Sequence, residues 1–249
     1  MVPKSVRQKA LRSTGDDSLR IKLRIQLSIK RFVDVLIAAI GLIVAAPLFL
    51  LIAILVRLES SGPVIFRQLR SGKDRRSFYM FKFRTMYVGV QHLRNPDGSA
   101  FVGRGDPRVT RVGRWLREFS LDEIPQLLNV VRGQMSIVGP RPETPEYTDE
   151  LPTWALEKLG FRPGCLSLPL IHGRNELPWT ERNQLELYYV RNYSLWLDLK
   201  ISFRGIWTML VTRRGVYSPG EIGVAVFEQS TKDRATPASY QTLTKERTS

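Results

Sequence analysis

Residues 35–56, VLIAAIGLIVAAPLFLLIAILV, run for 22 positions without a charge. As a helix the run is about 33 Å long at about 1.5 Å per residue, the thickness of a bilayer's hydrocarbon. Core helices of this length are rarely apolar on every face, so the run reads as a membrane segment. Its flanks conflict with a straight span. Arg20, Lys22, Arg24, Lys30 and Arg31 precede it, and Arg57, Arg67, Arg70, Lys73, Arg75 and Arg76 follow it. The bias of such cations toward the cytoplasm pulls both ends to one side. Pro47 lies mid-run, where it removes a backbone donor and disfavours the helical region for Ala46. A re-entrant helix-break-helix with its break at Ala46 and Pro47 satisfies both observations. A kinked spanning helix is the alternative, because proline is tolerated in membrane helices. The basic stretch SLRIKLRIQLSIKRF before the run fits either a helix lying on anionic lipid headgroups or an irregular arm.

Charge narrows the partners. Lys and Arg number 38 against 23 acidic residues, a formal charge of +15, which favours nucleic acid, anionic membrane lipids or phosphorylated substrates. No nucleic-acid reading motif is present, so no nucleic-acid partner is expected. A lone Cys165 and two histidines, His92 and His172, exclude a disulfide framework and a multi-cysteine metal centre. Polar chemistry must therefore lean on carboxylates, Lys and Arg.

After the membrane segment, PVIFRQ, the turn-rich SGKD and SFYMFKFRTM read as a β-hairpin. Alternation in its second strand sets Lys82 and Arg84 together on one face, where they hold a phosphate or merely a solvated surface. Residues 89–108 read as a long irregular loop. RVTRVGRWLREF is amphipathic, with Arg108, Arg111, Arg114 and Arg117 as a ridge on one side. In SLDEIPQLLN, Ser120 and Glu123 match a capping box and Pro125 suits a first helical turn, so a helix beginning near Leu121 explains the acids without chemistry. Asp122 and Glu123 at that helix start equally suit a carboxylate that attacks phosphorus or holds a divalent cation. Downstream, the prolines of Gly-Pro-Arg-Pro aim Arg141 in a fixed direction, and its planar fork suits phosphate oxygens. Residues 182–211 read as a helical run whose aromatic stripe fits an interfacial amphipathic helix or the core. From residue 218 the chain is polar and aperiodic.

Taken in order, KRFVDVLIAAIGLIVAAPLFLLIAILVRLESSGPVIFRQLRSG, FKFRTM, TRVGRWLREFSLDEIPQLLNVVRGQMSIVGPRPE, FRPG, GRN and YYVRNYSLWLDLKI resemble the bacterial sugar transferase family, the monotopic phosphoglycosyl transferases. The resemblance implies an α+β fold: a re-entrant membrane helix, a catalytic domain with a β-hairpin, and amphipathic interfacial helices. It implies a basic arm over residues 1–29, the membrane helix over 30–58, the catalytic domain over 59–217 and a tail over 218–249. It implies transfer of a sugar 1-phosphate from a nucleotide-sugar donor, usually a UDP-sugar, to undecaprenyl phosphate with release of UMP, at the cytoplasmic face of the bacterial inner membrane. Asp122 would be the nucleophile and a Mg2+ ligand, and Glu123 its partner. Lys82, Arg84, Arg117, Arg141 and Arg174 would bind substrate phosphate. A homodimer is compatible with the sequence, as is a paralogue that keeps the fold without turnover. Two departures stand out. The family's Ile-Thr-Gly-Leu after Arg-Pro-Gly is replaced by the apolar residues 165–170, and Glu186, a candidate supporting acid, stands where aspartate is usual.

Overall fold

Asp17–Glu59 forms one helix, α1, that takes in the basic stretch and the whole apolar run. The computed structural model describes residues 17–90, 93–94, 106–173, 176–212 and 226–227. Helical structure continues through Ala46 and Pro47, so the break expected there is not an interruption. A proline removes a single donor and leaves the turns on either side bonded.

Only one stripe of α1 faces the rest of the chain. Lys30, Asp34, Ala38, Ile52 and Val56 are buried, while Ile40, Ile43, Val44, Leu50, Leu51 and Ile54 on the remaining faces are exposed. In the most apolar stretch just 11% is buried within the protein. An apolar exterior of that extent marks an interaction surface, and lipid is its simplest cover.

Beyond α1 come β1 (Ile65–Ser71), β2 (Ser77–Phe83), β3 (Leu93–Arg94), α2 (Arg111–Glu118), a 3-10 turn over Leu121–Glu123, and α3 (Gln126–Val131). These are followed by β4 (Ser136–Val138), α4 (Pro145–Asp149), β5 (Gly164–Leu166), α5 (Trp179–Arg191), α6 (Leu195–Trp207) and β6 (Val226–Phe227). The expected hairpin forms: β1 and β2 pair antiparallel, with Phe66 opposite Lys82 and Arg70 opposite Phe78. Strands β4 and β5 pair in parallel, Ser136 opposite Gly164. Strands β3 and β6 pair antiparallel and belong to a small unit of their own. Apart from β6, the tail expected from residue 218 lies outside the described residues, as does most of the irregular loop expected before α2.

Packing explains why α1 lies along the domain. Ala38 is buried with Phe78, Met80, Val130 and Met135, and Ile52 and Val56 are buried with Phe83 and Leu116. From Ala38 to Ile52 a helix advances about 21 Å. From Phe78 to Phe83 a strand advances about 17 Å. The two distances are comparable, so successive parts of α1 share clusters with the two ends of β2. Each aliphatic side chain buried this way contributes about 1.5–3 kcal/mol. A third cluster holds Val138, Leu166, Leu168, Leu170, Tyr189, Val190 and Ile201. The apolar departure at residues 165–170 is therefore core.

Both ends of α1 are tied down by polar bonds. Lys30 Nζ donates to Asp198 Oδ2 at 2.7 Å, and the Asp34 carboxylate accepts from Ser136 Oγ at 2.6 Å and from the Ile137 N–H at 3.2 Å. At the other end Arg84 donates to the carbonyls of Val56, Ser60 and Ser61. Glu59 accepts from the N–H groups of Arg111 at 2.6 Å and Val112 at 2.9 Å, so the end of α1 caps the start of α2.

The helical run expected near the C-terminus is two helices. Ser194 interrupts it and caps α6, accepting from the Leu197 N–H at 3.1 Å. Along α6, Trp196, Leu199, Phe203, Ile206 and Trp207 are exposed at helical spacing while Ile201 and Gly205 are buried. That pattern favours the interfacial reading over the core reading.

Gly113 is where α2 crosses the end of the hairpin: a Cβ there would lie 2.2 Å from the Thr85 carbonyl oxygen. Gly113→Ala should therefore cost on the order of 1–3 kcal/mol or more, because backbone cannot yield as a side chain does. A lowered melting temperature in detergent checks this, with Gly160→Ala, whose Cβ would meet nothing within 4 Å, expected to be unchanged.

Candidate active site

The acidic pair lies in the 3-10 turn between α2 and α3. Ser120 enters this turn in the left-handed region, φ 55°, and its side chain makes no capping bond. The expected capping box is thus not formed. Helical structure does begin at Leu121, as a 3-10 turn directly after the left-handed Ser120, and becomes the α-helical α3 at Gln126, behind Pro125.

Glu123 turns instead to the hairpin. Lys82 Nζ lies 2.8 Å from Glu123 Oε1 and 3.8 Å from Asp122 Oδ2. Asp122 is buried, 8% exposed, and a buried carboxylate is tolerated only with such a partner. Asn129 fixes the two elements relative to each other. Its Oδ1 accepts from the Phe81 N–H at 3.0 Å and its Nδ2 donates to the Tyr79 carbonyl at 2.7 Å, so a side chain of α3 takes the place of a neighbouring strand beside Lys82. Asn129 is fully buried, and that polar commitment sets the spacing between Lys82 and the acidic turn.

Arg141 is held by its backbone from several sides. Its N–H donates to Glu186 Oε1 at 3.0 Å, and Arg70 Nη1 donates to the next carbonyl, Pro142, at 3.0 Å. The Ser71 N–H donates to the Glu143 carbonyl at 2.8 Å, extending β1 onto this loop. Burial and the neighbouring Arg141 push the Arg70 guanidinium down to about 10, offset in part by Glu143, Glu123 and Glu146. Arg70 and Arg141 thus share one electrostatic neighbourhood with Glu123.

Glu186 is fully buried and meets Lys158 Nζ at 2.7 Å; Lys158 also donates to Asn183 Oδ1 at 2.6 Å. Burial disfavours the Lys158 ammonium, but Glu186 and Glu143 more than offset this and raise its pKa. A charged pair beneath the loop therefore anchors the Arg141 backbone.

Arg117 Nε donates to Thr85 Oγ1 at 2.9 Å, which places it at the end of the hairpin, on the helix leading into the acidic turn. It also acts electrostatically on Asp106. Burial opposes ionisation of Asp106, yet bonds from Arg108, the shortest 2.6 Å, hold its carboxyl below the usual range. Arg84, expected to share a phosphate-binding face with Lys82, is engaged elsewhere. It is buried and bound to the carbonyls that end α1, because a helix terminus leaves acceptors that a guanidinium can satisfy. Arg174 lies outside the described residues.

The structure thus brings Lys82, Asp122 and Glu123 together, places Arg70 within electrostatic reach of both Glu123 and Arg141, and commits Arg84 to the end of α1. Sequence reasoning missed Arg70, Asn129, Lys158 and Asp106. Only Asn129, an amide set among the aliphatic residues of LLNVV, gave a signal.

For Mg2+ the donor set is small but sufficient in kind. Among the described residues no cluster of three or more His, Cys, Asp or Glu forms, and Mg2+ commonly rests on one or two carboxylates with substrate phosphates and waters completing its shell. The Asp122 and Glu123 pair fits that pattern.

These features define a class: a mixed helix-and-strand domain, carrying a lysine-bound carboxylate pair near arginines, packed on a long apolar helix. The chain belongs to the bacterial sugar transferase family, whose profile matches residues 25–212. It is 42% identical over 200 residues to the undecaprenyl-phosphate glucose phosphotransferase of Komagataeibacter xylinus, covering 76% of this chain and 36% of that protein. It is 43% identical over 192 residues to the UDP-glucose:undecaprenyl-phosphate glucose-1-phosphate transferase of Caulobacter vibrioides, covering 74% and 70%. With the exopolysaccharide production protein ExoY of Rhizobium meliloti identity is 41% over 195 residues, covering 74% and 86%. The match takes in well under half of the Komagataeibacter relative's length.

Removing one member of the buried pair tests the anchoring of Arg141. Lys158→Met leaves Glu186 without its cation and should cost about 3–5 kcal/mol, whereas adding Glu186→Gln, which removes the unpaired charge but keeps an acceptor for the Arg141 N–H, should restore part of it. Thermal unfolding of the single and double variants reads both effects.

Proposed function

We propose that this protein transfers a sugar 1-phosphate from a UDP-sugar to undecaprenyl phosphate at the cytoplasmic face of the bacterial inner membrane. The observation that carries this reading is Lys82 bridging Asp122 and Glu123, near Arg70 and Arg141 and on a domain packed along an apolar helix. Relatives named for this transfer, from UDP-glucose to undecaprenyl phosphate, support it.

In the first step an Asp122 carboxylate oxygen attacks the β-phosphorus of the donor. The bond from that phosphorus to the bridging oxygen breaks, and UMP leaves with the electron pair. Asp122 then carries the sugar phosphate as an acyl phosphate. In the second step an oxygen of undecaprenyl phosphate attacks the same phosphorus, freeing the carboxylate and yielding the undecaprenyl diphospho-sugar. Lys82 keeps Asp122 oriented and offsets charge where two carboxylates meet a diphosphate. Glu123 holds Lys82 in place. Arg141 and Arg117 bind phosphate oxygens, Arg141 with a backbone already fixed, which lowers the ordering cost. Mg2+, held by Asp122 with Glu123 beside it, would supply charge neutralisation on the diphosphate.

The packing of α1 supports this membrane placement. A straight span would carry one end of α1 across the bilayer, yet Lys30 to Ala38 and Ile52 to Glu59 all bind the same domain. A re-entrant or in-plane helix keeps both ends with that domain, and the exposed stripe of α6 adds a second lipid-facing surface.

Asp122→Asn should abolish UMP release from UDP-sugars in the presence of undecaprenyl phosphate and Mg2+, and Lys82→Ala should lower it by about 10²-fold or more. Unchanged release by the Asp122 variant would remove Asp122 as nucleophile, and a wild-type protein silent across a panel of UDP-sugars would remove the transferase reading.

A further inference from the structure

The hairpin turn opens onto a cavity that the acidic pair does not use. Lys73 and Arg76 from the turn line it together with Arg132, Gln134 and Arg162. Its ionic lining is four cations against one carboxylate, Asp74. Two consecutive residues at the tip, Asp74 and Arg75, are left-handed at φ 55° and 61°. Such strain persists only where the surrounding structure enforces it.

A second cavity adjoins the first. It shares Lys73 and Arg162 and reaches Lys30, Arg31 and Asp34 of α1. Residue 34 immediately precedes the apolar run, so this basic cleft opens where α1 would enter hydrocarbon. The cations are set in place by the protein. Arg162 Nε donates to the Gly133 carbonyl at 3.0 Å, the Arg132 guanidinium lies 5.0 Å from the Phe81 ring centre, and Arg31 donates to the Val130 carbonyl at 2.7 Å. Fixed guanidiniums gathered in one concavity repel each other unless an anion joins them, and a phosphate group matches their fork. Ser77, on the cavity wall, is five residues along β2 from Lys82, about 17 Å away. The cavity is therefore separate from the acidic pair.

We propose that this cleft binds the phosphodiester of an anionic glycerophospholipid headgroup, anchoring the hairpin turn at the membrane surface while the other end of the hairpin carries Lys82. Free inorganic phosphate offers the same chemistry, but the position of the cleft beside the start of the apolar run favours the lipid. The proposal rests on the membrane placement given above and not on the chemistry of Asp122.

Native mass spectrometry of the full chain in nonionic detergent, titrated with phosphatidylglycerol or phosphatidylcholine, tests it. Wild-type protein should retain phosphatidylglycerol about 5-fold or more over phosphatidylcholine. The Lys73→Gln, Arg76→Gln double variant should lose that preference while keeping wild-type UMP release. Equal retention by variant and wild type would overturn the site. Complete displacement of the lipid by an equal concentration of inorganic phosphate would overturn the lipid assignment. Loss of UMP release in the variant alone would overturn the separation from the catalytic centre. The lipid comparison reads binding only, so it stands or falls independently of turnover.

Discussion

Helix α1 presents one narrow stripe to the rest of the chain, and the architecture depends on what that stripe holds. At one end Lys30 and Asp34 bond to α6 and to β4. In the middle Ala38 and Ile52 pack beside the two ends of β2. At the far end Glu59 caps α2 while Arg84 caps α1 itself. Each contact is ordinary in size, but together they fix a helix of more than forty residues against a domain of modest length. The other faces remain apolar and open. The same helix is therefore both the spine of the domain and an extended apolar exposed surface.

That arrangement carries through to the candidate site. Glu59 sets the start of α2, and Gly113 lets α2 lie against Thr85. Helix α2 leads into the left-handed Ser120 and the turn bearing Asp122 and Glu123. From the other side β2, pressed on α1, delivers Lys82, and Asn129 holds strand and helix in register. A carboxylate pair reached from two directions by elements resting on one helix is well preorganised. Reorganisation at the moment of reaction is a cost that such a site avoids. The anchoring of Arg141 by Glu186, Lys158 and Arg70 follows the same logic on the opposite side.

The elements with strong local signals were legible in the sequence. The apolar run, the hairpin with its Gly-containing turn and the amphipathic α2 all appear where pattern places them, because period and turn chemistry are local properties. What was not legible depended on partners distant in the chain. Arg84 alternates onto the same face as Lys82 by strand geometry, yet it meets the carbonyls of Val56 to Ser61, and nothing near residue 84 announces a helix end. The capping box failed because Ser120 is left-handed, a consequence of how α2 and α3 are placed. Lys158 and Glu186 are 28 residues apart, and nothing local to either announces the other. The apolar residues 165–170 were read as a departure from the family pattern, and β5 and the turn after it carry them into the core beside Tyr189 and Ile201.

The proposed placement of α1, with both flanks of its apolar run on one side of the membrane, is the most direct point of test. In a Cys165→Ser background, single cysteines introduced by Ser28→Cys and Leu58→Cys flank the apolar run at exposed positions. Labelling with a membrane-impermeant maleimide in right-side-out and inverted vesicles reads which face each one occupies. Both should react from the cytoplasmic face only. Reaction of the two from opposite faces would establish a spanning helix and contradict the proposed placement.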